Sequence, residues 1–277
     1  MATENQADTL DPFPALDTSS TLFGTLQTTK VYNPLGSASA PLSTSPFAAF
    51  QISPTDILDT ITERKPCPTC NRFVKYFCHD CFVVDKACEN VMPKLELPID
   101  IDVIKHPGER SGKSTAIHAR LISPTSVSVY PSTSIPAYSD PSRILLLYPA
   151  PDAQTLDTIP LDSFDKLVVI DGTWKQAISI LKYTTALSSF RKVTLHPRKT
   201  MFWRYQNRSE NYLATIEAIY YFLVEYREKD KGEYNGEFDN LLWWYKYFYE
   251  LIQGVYRGDP EGKRFNSRHR KDYITYE

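Results

Sequence analysis

The sequence has no apolar run long enough to cross a membrane, and its first 29 residues contain no lysine or arginine. A membrane-spanning helix needs about 20 mostly apolar residues. A secretory signal needs an apolar segment behind a basic start, and a transit peptide is rich in arginine and poor in acids. We therefore expect no membrane span, no signal peptide and no transit peptide.

A strong excess of charge of either sign is also missing, because the formal net charge of the 277 residues is −2. That value does not mark a nucleic-acid-binding protein, so any such surface must come from local clusters of basic residues. Apolar residues make up 42% of the chain, with 14 phenylalanines and 18 tyrosines. This length and composition predict one domain with extensions and a sizeable core.

Cysteine is scarce, but four of the five cysteines lie close together. Their spacing is C-x2-C-x7-C-x2-C, and the four are Cys67, Cys70, Cys78 and Cys81. Two close pairs of thiolates suit a closed tetrahedral zinc site, which would be structural because no position is left for water. Two disulfides or reduced core thiols are the alternatives. Zinc is favoured because few cysteines and no secretion signal suit a reducing compartment. Cys88 lies outside the spacing, and we expect a buried thiol there.

The amino-terminal region divides into three predicted parts. Residues 1–50 are rich in Ser, Thr, Pro and Ala, which predicts a disordered leader with a few docking residues such as Phe23 and Phe47. Residues 51–64 should hold a short helix that begins at Ser53-Pro54 and ends near Ile61. Residues 65–90 form the predicted zinc knuckle.

Residues 91–256 should form the main domain, because apolar runs there alternate with helical patterns. This alternation predicts an α/β fold with a mainly parallel sheet. The predicted strands are 99–105, 144–147, 166–170 and 193–195. The predicted helices are 114–122, one that begins at Thr173, one with its apolar face over 216–224, and one over 238–252 that stops at Gly254. A basic, mobile tail is expected over 257–277.

The motif Asp171-Gly172-Thr173-Trp174 follows the apolar run that ends at Ile170. The spacing of Thr173 and Gln176 predicts a capping box at the start of a helix. An acid at this turn lies where open α/β sheets bind their ligands, so Asp171 is a candidate base or ligand contact. The alternative is an ordinary strand-to-helix turn whose aspartate assists the cap.

The segment His106–Thr115 resembles a phosphate-binding loop but has one residue too few between Gly108 and Gly112. Loop length decides how backbone N–H groups wrap a phosphate, so we do not expect a P-loop nucleotide. The preferred interpretation is a loop after strand 99–105. That position brings His106, Glu109, Ser114 and Thr115 to the same sheet edge as Asp171.

Basic and aromatic residues are interleaved over 190–208, a composition that suits binding of a nucleic-acid strand. The alternative is a solvated loop beside a core tryptophan. The candidate RNA contacts are Arg191, Arg198, Lys199, Trp203 and Arg204. A second basic cluster at 263–271 suits either tRNA contact or nuclear import, or is simply a charged tail.

Taken together, these motifs resemble those of the DTW-domain family. Asp171–Trp174 matches the signature Asp-x-Thr-Trp, and the resemblance covers about residues 65–252. The other matching blocks are His106–Glu109 with Ser114–Ala116, Arg198–Thr200 with Phe202–Arg204, Thr215–Ala218, and the preceding cysteine knuckle. The chain departs from the family at Ala214, where a serine cap is usual.

The resemblance implies a SPOUT-like fold, with helices on both faces of the sheet and a knotted carboxyl-terminal half. It also implies transfer of the 3-amino-3-carboxypropyl group of S-adenosylmethionine to N3 of a D-loop uridine in tRNA. Asp171 would be the base or the residue that orients it, together with Thr173 and Trp174 in the catalytic motif. The implied cofactor contacts are His106, Glu109, Ser114, Thr115, Gly172 and Glu217. We expect the protein in the nucleus, and also in the cytoplasm.

Two other functional classes remain open. A SPOUT-like RNA methyltransferase would differ mainly in how the cofactor is turned, and the mass of its product would identify it. A non-catalytic zinc-knuckle RNA-binding protein would bind tRNA but not S-adenosylmethionine. The sequence alone leaves the target tRNAs and the oligomeric state open.

Overall fold

The structure, a computed structural model, describes residues 45–202 and 211–258. Its strands are β1 (Lys65–Pro66), β2 (Phe73–Val74), β3 (Asp100–Lys105), β4 (Val127–Pro131), β5 (Ile144–Leu147), β6 (Gln154–Thr155), β7 (Lys166–Asp171) and β8 (Arg191–Thr194). Its α-helices are α1 (Lys86–Glu89), α2 (Ala116–Ile122), α3 (Trp174–Tyr183), α4 (Thr185–Ser188), α5 (Thr215–Lys231) and α6 (Trp243–Arg257). Short 3-10 helices are Asp56–Thr60, Ser111–Lys113, Pro141–Arg143, Leu156–Thr158, Leu161–Ser163 and Asp239–Leu242.

The main sheet has six strands in the order β4-β3-β7-β5-β8-β6, and every neighbouring pair is parallel. The predicted α/β class and mainly parallel sheet are therefore confirmed. The edge strands β4 and β6 were not predicted. β6 is only two polar residues long, and β4 is half-buried, so neither carries the continuous apolar signal of an inner strand.

Helices cover both faces of this sheet. The chain passes from β3 through α2 to β4 in one direction along the sheet, and from β7 through α3 to β8 in the other. Because such crossovers are right-handed, α2 and α3 lie on opposite faces. Alternate residues of β7 follow this division, since Leu167 and Val169 belong to the main core that α2, α5 and α6 cover, whereas buried Val168 does not. The predicted knot remains a prediction.

The aromatic start of α6 is core, as the sequence indicated. Trp243, Trp244 and Tyr245 have no exposed surface. The helix does not stop at Gly254, as was predicted, but continues to Arg257. Gly254 lacks the left-handed backbone conformation of a carboxyl-terminal cap, so it is an ordinary position within the helix. None of the helices in the described residues is long and apolar enough to span a bilayer.

The segment before the knuckle is packed onto the carboxyl-terminal helices from residue 45 onward. Phe47 is 2% exposed and lies against the rings of Tyr245 and Tyr249, at centroid distances of 6.1 and 5.4 Å. The predicted disordered leader therefore cannot extend to residue 50. The docking predicted for Phe47 is confirmed, whereas Phe23 lies outside the described residues, as does the basic cluster at 263–271.

The short helix in this segment begins later than predicted. It is a 3-10 helix at Asp56–Thr60, and Ser53 does not cap it. Instead the Ser53 N–H donates to Asn240 Oδ1 (2.8 Å), and the Pro54 carbonyl accepts from Trp243 Nε1 (3.0 Å). The Pro54 carbonyl thus accepts from Trp243 rather than from a backbone N–H in the next turn, as a helix beginning at Ser53 would require.

Phe47 should therefore contribute to the stability of the whole domain. Phe47→Ala is expected to lower the free energy of unfolding by about 3–5 kcal/mol, because it removes a buried ring and leaves a cavity. Ile57→Ala, in the same segment but 40% exposed, is the matched control and should cost much less. Chemical denaturation of both variants measures this, and equal effects would show that Phe47 is not docked.

Candidate active site and metal centre

The carboxyl ends of β3 and β7 bring two of the predicted motifs together. Lys105 and Asp171 are paired in the parallel register, and the His106 N–H donates to the Asp171 carbonyl oxygen (2.9 Å). The loop that begins at His106 and the turn that begins at Asp171 therefore leave the sheet side by side. This is the edge at which open parallel sheets bind ligands.

The Asp171 carboxylate is buried beneath this edge, with only 2% of the residue exposed. Ser114 Oγ donates to its Oδ2 and Thr215 Oγ1 donates to its Oδ1, each at 2.7 Å. Burial raises the pKa of Asp171, and the two hydroxyl hydrogen bonds and the Lys105 charge only partly oppose this. Asp171 thus lies behind two hydroxyl groups rather than in open contact with the cleft.

The direction of the hydrogen bonds that these two hydroxyl groups can make with a ligand is fixed by Asp171. A serine or threonine hydroxyl carries one proton, and Ser114 and Thr215 each direct it at Asp171. Their remaining lone pairs can therefore only accept hydrogen bonds from a ligand. Ser114 is buried and Thr215 is half-buried, so the Thr215 oxygen is the more accessible of the two.

Three helices begin around this carboxylate. Thr115 Oγ1 accepts from the Ile216 N–H (3.2 Å), which joins the start of α2 to the start of α5. The third, α3, begins at Trp174 with the predicted capping box. In it the Gln176 N–H donates to Thr173 Oγ1 (3.4 Å) and the Thr173 N–H donates to Gln176 Oε1 (2.7 Å). The amino-terminal ends of α3 and α5 favour a negatively charged group at this edge.

Position 172 requires a glycine because neighbouring side chains leave no room for a Cβ atom. An added Cβ would lie 3.0 Å from Gln176 Oε1 and 3.3 Å from the His106 Cβ. His106 in turn accepts a hydrogen bond at Nδ1 from the Gly108 N–H (2.9 Å), so its neutral ring carries the proton on Nε2. The glycine therefore allows the His106 loop to lie close to the start of α3.

Trp174 is half-buried in an aromatic cluster at the same edge. Its ring is 4.7 Å from that of Tyr212 and 6.1 Å from that of Tyr148, measured between centroids. The rest of its ring is available to a planar ligand. Glu109 belongs to the turn that His106 opens, where its N–H donates to the His106 carbonyl oxygen.

The loop over 106–115 differs from a phosphate-binding loop in its backbone hydrogen bonds. Ser111–Lys113 is a 3-10 helix, and the N–H groups of Lys113 and Ser114 both donate to the Arg110 carbonyl oxygen (2.7 and 3.3 Å). In a P-loop, such N–H groups would point at the phosphate. Here they are used to close the turn.

Glu217, a predicted cofactor contact, is fully buried and holds a loop. Its carboxylate accepts from Thr200 Oγ1 (2.6 Å), from the Met201 N–H (2.7 Å) and from the Ala214 N–H (2.7 Å). The last bond is the half of a capping box that Glu217 can supply alone, since Ala214 has no side-chain acceptor. Burial raises the pKa of Glu217. The structure thus gives it a positioning role.

The structure describes three of the predicted RNA contacts, Arg191, Arg198 and Lys199. Arg191 lies at the amino end of β8, the opposite edge from Asp171, and donates to the carbonyl oxygen (2.7 Å) and Oγ (3.1 Å) of Ser163. Arg198 is 3.7 Å from Glu225 and lies over the Tyr221 ring, with 14% of its side chain exposed. Lys199 is exposed, whereas Trp203 and Arg204 lie outside the described residues.

Thr215 was not among the predicted site residues. Its position just ahead of an apolar helical face predicts only a helix start. The signal that could have found it is that Thr215 begins one of the sequence blocks that resemble the family. The Thr215 hydroxyl is not used in capping, and it donates to Asp171 instead.

The four clustered cysteines form a site that fits one zinc ion. Their Sγ atoms all lie within 4.8 Å of one another, and those of Cys70 and Cys78 are 3.6 Å apart. Tetrahedral zinc with Zn–S bonds of about 2.3 Å requires sulfur atoms about 3.8 Å apart. All five cysteines are free thiols, so the structure does not support the disulfide alternative. Cys88 is buried as predicted and is not in the cluster.

The two halves of the knuckle have the same backbone geometry. The Asn71 N–H donates to the Cys67 carbonyl oxygen (2.9 Å), and the Phe82 N–H donates to that of Cys78 (3.0 Å). Asn71 and Phe82 both have φ of 57°, a left-handed conformation that turns the chain back sharply after each cysteine pair. A hydrogen bond from the Cys70 N–H lowers the pKa of Cys67 to about 7, whereas a hydrogen bond with Cys70 and burial raise the pKa of Cys81 to about 12.

The knuckle also contacts the active-site loop. Ser111 Oγ donates to Asp80 Oδ1 (2.8 Å), and Asp80 forms an ion pair with Arg72 inside the knuckle. Lys105 Nζ donates to the same Ser111 hydroxyl (3.1 Å). The metal centre is therefore connected to the sheet edge that holds Asp171.

The comparisons with known proteins agree with this geometry. The model of the DTW domain matches residues 75–253. The chain belongs to the DTW-domain family. The tRNA-uridine aminocarboxypropyltransferase 1 of Xenopus tropicalis is 34% identical over 237 residues, which cover 68% of this chain and 79% of that protein. The proteins of the same name from Rattus norvegicus and Homo sapiens are 33% and 32% identical over 73% and 72% of this chain, and 81% and 80% of their own lengths. No solved structure matches the chain.

The cysteine cluster should bind one zinc ion per chain. Cys67→Ser and Cys81→Ser are expected to lose the metal and to destabilise the knuckle, because a closed four-thiolate site contributes folding free energy directly. Cys88→Ser is the matched control, since it changes a buried thiol outside the cluster and should keep the zinc. Metal analysis of protein purified without chelator measures this, and wild-type protein without zinc would contradict it.

Proposed function

We propose that this chain transfers the 3-amino-3-carboxypropyl group of S-adenosylmethionine to N3 of a D-loop uridine in tRNA. The curated relatives are named tRNA-uridine aminocarboxypropyltransferases, which supports aminocarboxypropyl transfer to a tRNA uridine. The observation that carries the proposal in this chain is the buried Asp171 with the hydroxyl groups of Ser114 and Thr215. This cluster provides hydrogen-bond acceptors where a weakly acidic N–H must lose its proton.

The chemistry needs few protein groups. Bound S-adenosylmethionine supplies a γ-carbon activated by the sulfonium, so the N3–carbon bond forms as the carbon–sulfur bond breaks and 5′-methylthioadenosine leaves. The protein must position uracil N3 and remove its proton. Trp174, with Tyr148 and Tyr212, offers an aromatic surface for a planar ring at the same edge.

Thr215 is the group we assign to the proton transfer. Its oxygen can accept the N3 proton while its own proton, already directed at Asp171 Oδ1 over 2.7 Å, passes to the carboxylate. Asp171 then becomes neutral, which burial favours because it raises the pKa of this carboxyl group. Asp171 is thus the final proton acceptor and orients the hydroxyl, and Thr215 is the group that contacts the uridine.

The variants Thr215→Val and Asp171→Asn test this assignment. Valine keeps the shape of threonine without its hydroxyl group, and asparagine keeps the size of aspartate without its basicity. Each should slow single-turnover transfer by about 10²–10⁴-fold, the usual cost of losing a general base. Thr215→Ser keeps the hydroxyl group and should restore most of the rate.

The controls for these variants are the melting temperature and the affinity for S-adenosylmethionine and for tRNA. All three should stay near wild-type values. A folded Thr215→Val protein that transfers at the wild-type rate would remove Thr215 from the mechanism. A folded Asp171→Asn protein that transfers at the wild-type rate would show that the Asp171 motif is only a structural turn.

The product itself separates the three functional classes. Purified protein is incubated with unmodified tRNA and S-adenosylmethionine, and the nucleosides are analysed by mass spectrometry. We expect a uridine that gains the mass of an aminocarboxypropyl group, in a fragment from the D-loop. A methyl adduct would indicate a methyltransferase, and bound but unchanged tRNA would indicate a non-catalytic RNA-binding protein.

A further inference from the structure

We infer that tRNA contacts a surface built from the loop over 108–113 and the zinc knuckle, formed by Arg72, Phe73, Arg110 and Lys113. We call it the knuckle surface. This inference rests on the proposed function for the identity of the RNA. It concerns binding, however, and its test does not require the transfer reaction.

The cations of the loop are unpaired and exposed. Arg110 and Lys113 flank Ser111, and neither side chain has a hydrogen-bond or ion-pair partner among the residues that the structure describes. Arg191 and Arg198, by contrast, are used in contacts with Ser163 and Glu225. A phosphate gains more from a cation without a protein partner, because no existing ion pair must be broken.

These cations lie close to the reacting groups. Lys113 immediately precedes Ser114, whose hydroxyl donates to Asp171. Lys105, whose ammonium group donates to Ser111, is paired with Asp171 in the sheet. A phosphate held by Arg110 or Lys113 would therefore belong to a nucleotide near the one in the cleft.

The knuckle continues this surface through a direct contact. Asp80 accepts from Ser111 in the loop and pairs with Arg72 in the knuckle. Arg72 is 63% exposed despite this pair, so its guanidinium can also reach a phosphate. The loop and the knuckle thus form one surface rather than two separate patches.

Phe73, next to Arg72, supplies a ring for an unstacked base. It is 63% exposed on β2, far more than any other phenylalanine in the described residues. An exposed aromatic ring beside cations is the combination that binds single-stranded nucleic acid, because the ring stacks on a base while the cations neutralise phosphates. An acidic protein would satisfy the cations but would not need the ring, so RNA is the partner that fits both.

The experiment measures binding of tRNA to the full-length, zinc-loaded protein by fluorescence anisotropy over a range of salt concentrations. The double variant Arg110→Gln with Lys113→Gln should bind about tenfold or more weakly near physiological salt. The slope of log affinity against log salt should fall by about 1.5–2 because two phosphate contacts are lost. Phe73→Ala should bind about tenfold more weakly, with an unchanged slope, because only stacking is removed.

A matched pair at the carboxyl-terminal end of α3 is the control. Lys182 and Tyr183 are also an exposed cation beside an exposed ring, at a distance of 5.4 Å. They end α3, about 15 Å along that helix from the sheet edge that holds Asp171. Lys182→Gln and Tyr183→Ala should change neither the affinity nor the salt slope. Equal zinc content and melting temperature in all variants exclude unfolding as the cause.

The outcomes separate this inference from the proposed function. Wild-type affinity and slope in the Arg110→Gln/Lys113→Gln protein would overturn the phosphate contacts, and wild-type affinity in Phe73→Ala would overturn the stacking contact. Losses as large in the Lys182→Gln and Tyr183→Ala proteins would overturn the location of the surface. If wild-type protein binds tRNA through these residues but transfers nothing, the surface stands and the proposed reaction fails.

Discussion

The arrangement of the active-site edge depends on one buried carboxylate. Asp171 ends the central strand β7, and the two hydroxyl groups that it holds come from Ser114, just before α2, and from Thr215, at the start of α5. A buried carboxylate without these donors would cost several kcal/mol, so the two helix starts are held where the carboxylate requires them. The same two bonds leave oxygen lone pairs as the only groups that these hydroxyls can offer a ligand.

Two further buried carboxylates, those of Glu217 and Asp239, also accept several hydrogen bonds each. Glu217 holds the backbone near Thr200 and Met201 to the start of α5. Asp239 accepts from the hydroxyls of Tyr220 and Tyr234 (2.8 and 2.6 Å) and from the Gln51 N–H (2.6 Å), which fixes the segment before the knuckle. Each carboxylate accepts from at least one neutral donor more than 15 residues away in the sequence, so each connects segments that no regular secondary structure joins.

The features that sequence could predict are the local ones. The strand before Asp171, the Thr173–Gln176 capping box and the cysteine spacing depend on residues a few positions apart, and the structure has all three. Two predictions about helix ends were wrong. Ser53 does not cap the helix after it, because the Pro54 carbonyl accepts from Trp243 and the helix begins only at Asp56, and Gly254 is an interior position of α6 rather than a stop. Nothing in the sequence places Glu225 and the Tyr221 ring beside Arg198, and the RNA contact of Arg198 stays a prediction.

Around the metal centre, the exposed cations of the structure do not come from the basic stretch that stands out in the sequence. A basic stretch of the sequence lies over 190–208, yet Arg110 and Lys113, two exposed cations without a partner among the described residues, belong to the loop that Ser111 joins to Asp80. Asp80 lies between Cys78 and Cys81, so the position of its carboxylate depends on how the two cysteine pairs are folded together. Closing the cysteine cluster around a metal would hold Asp80, and through Ser111 and Lys105 it would hold the loop that leads to Ser114. The knuckle is therefore connected, through Asp80 and Ser111, to the loop that leads to Ser114.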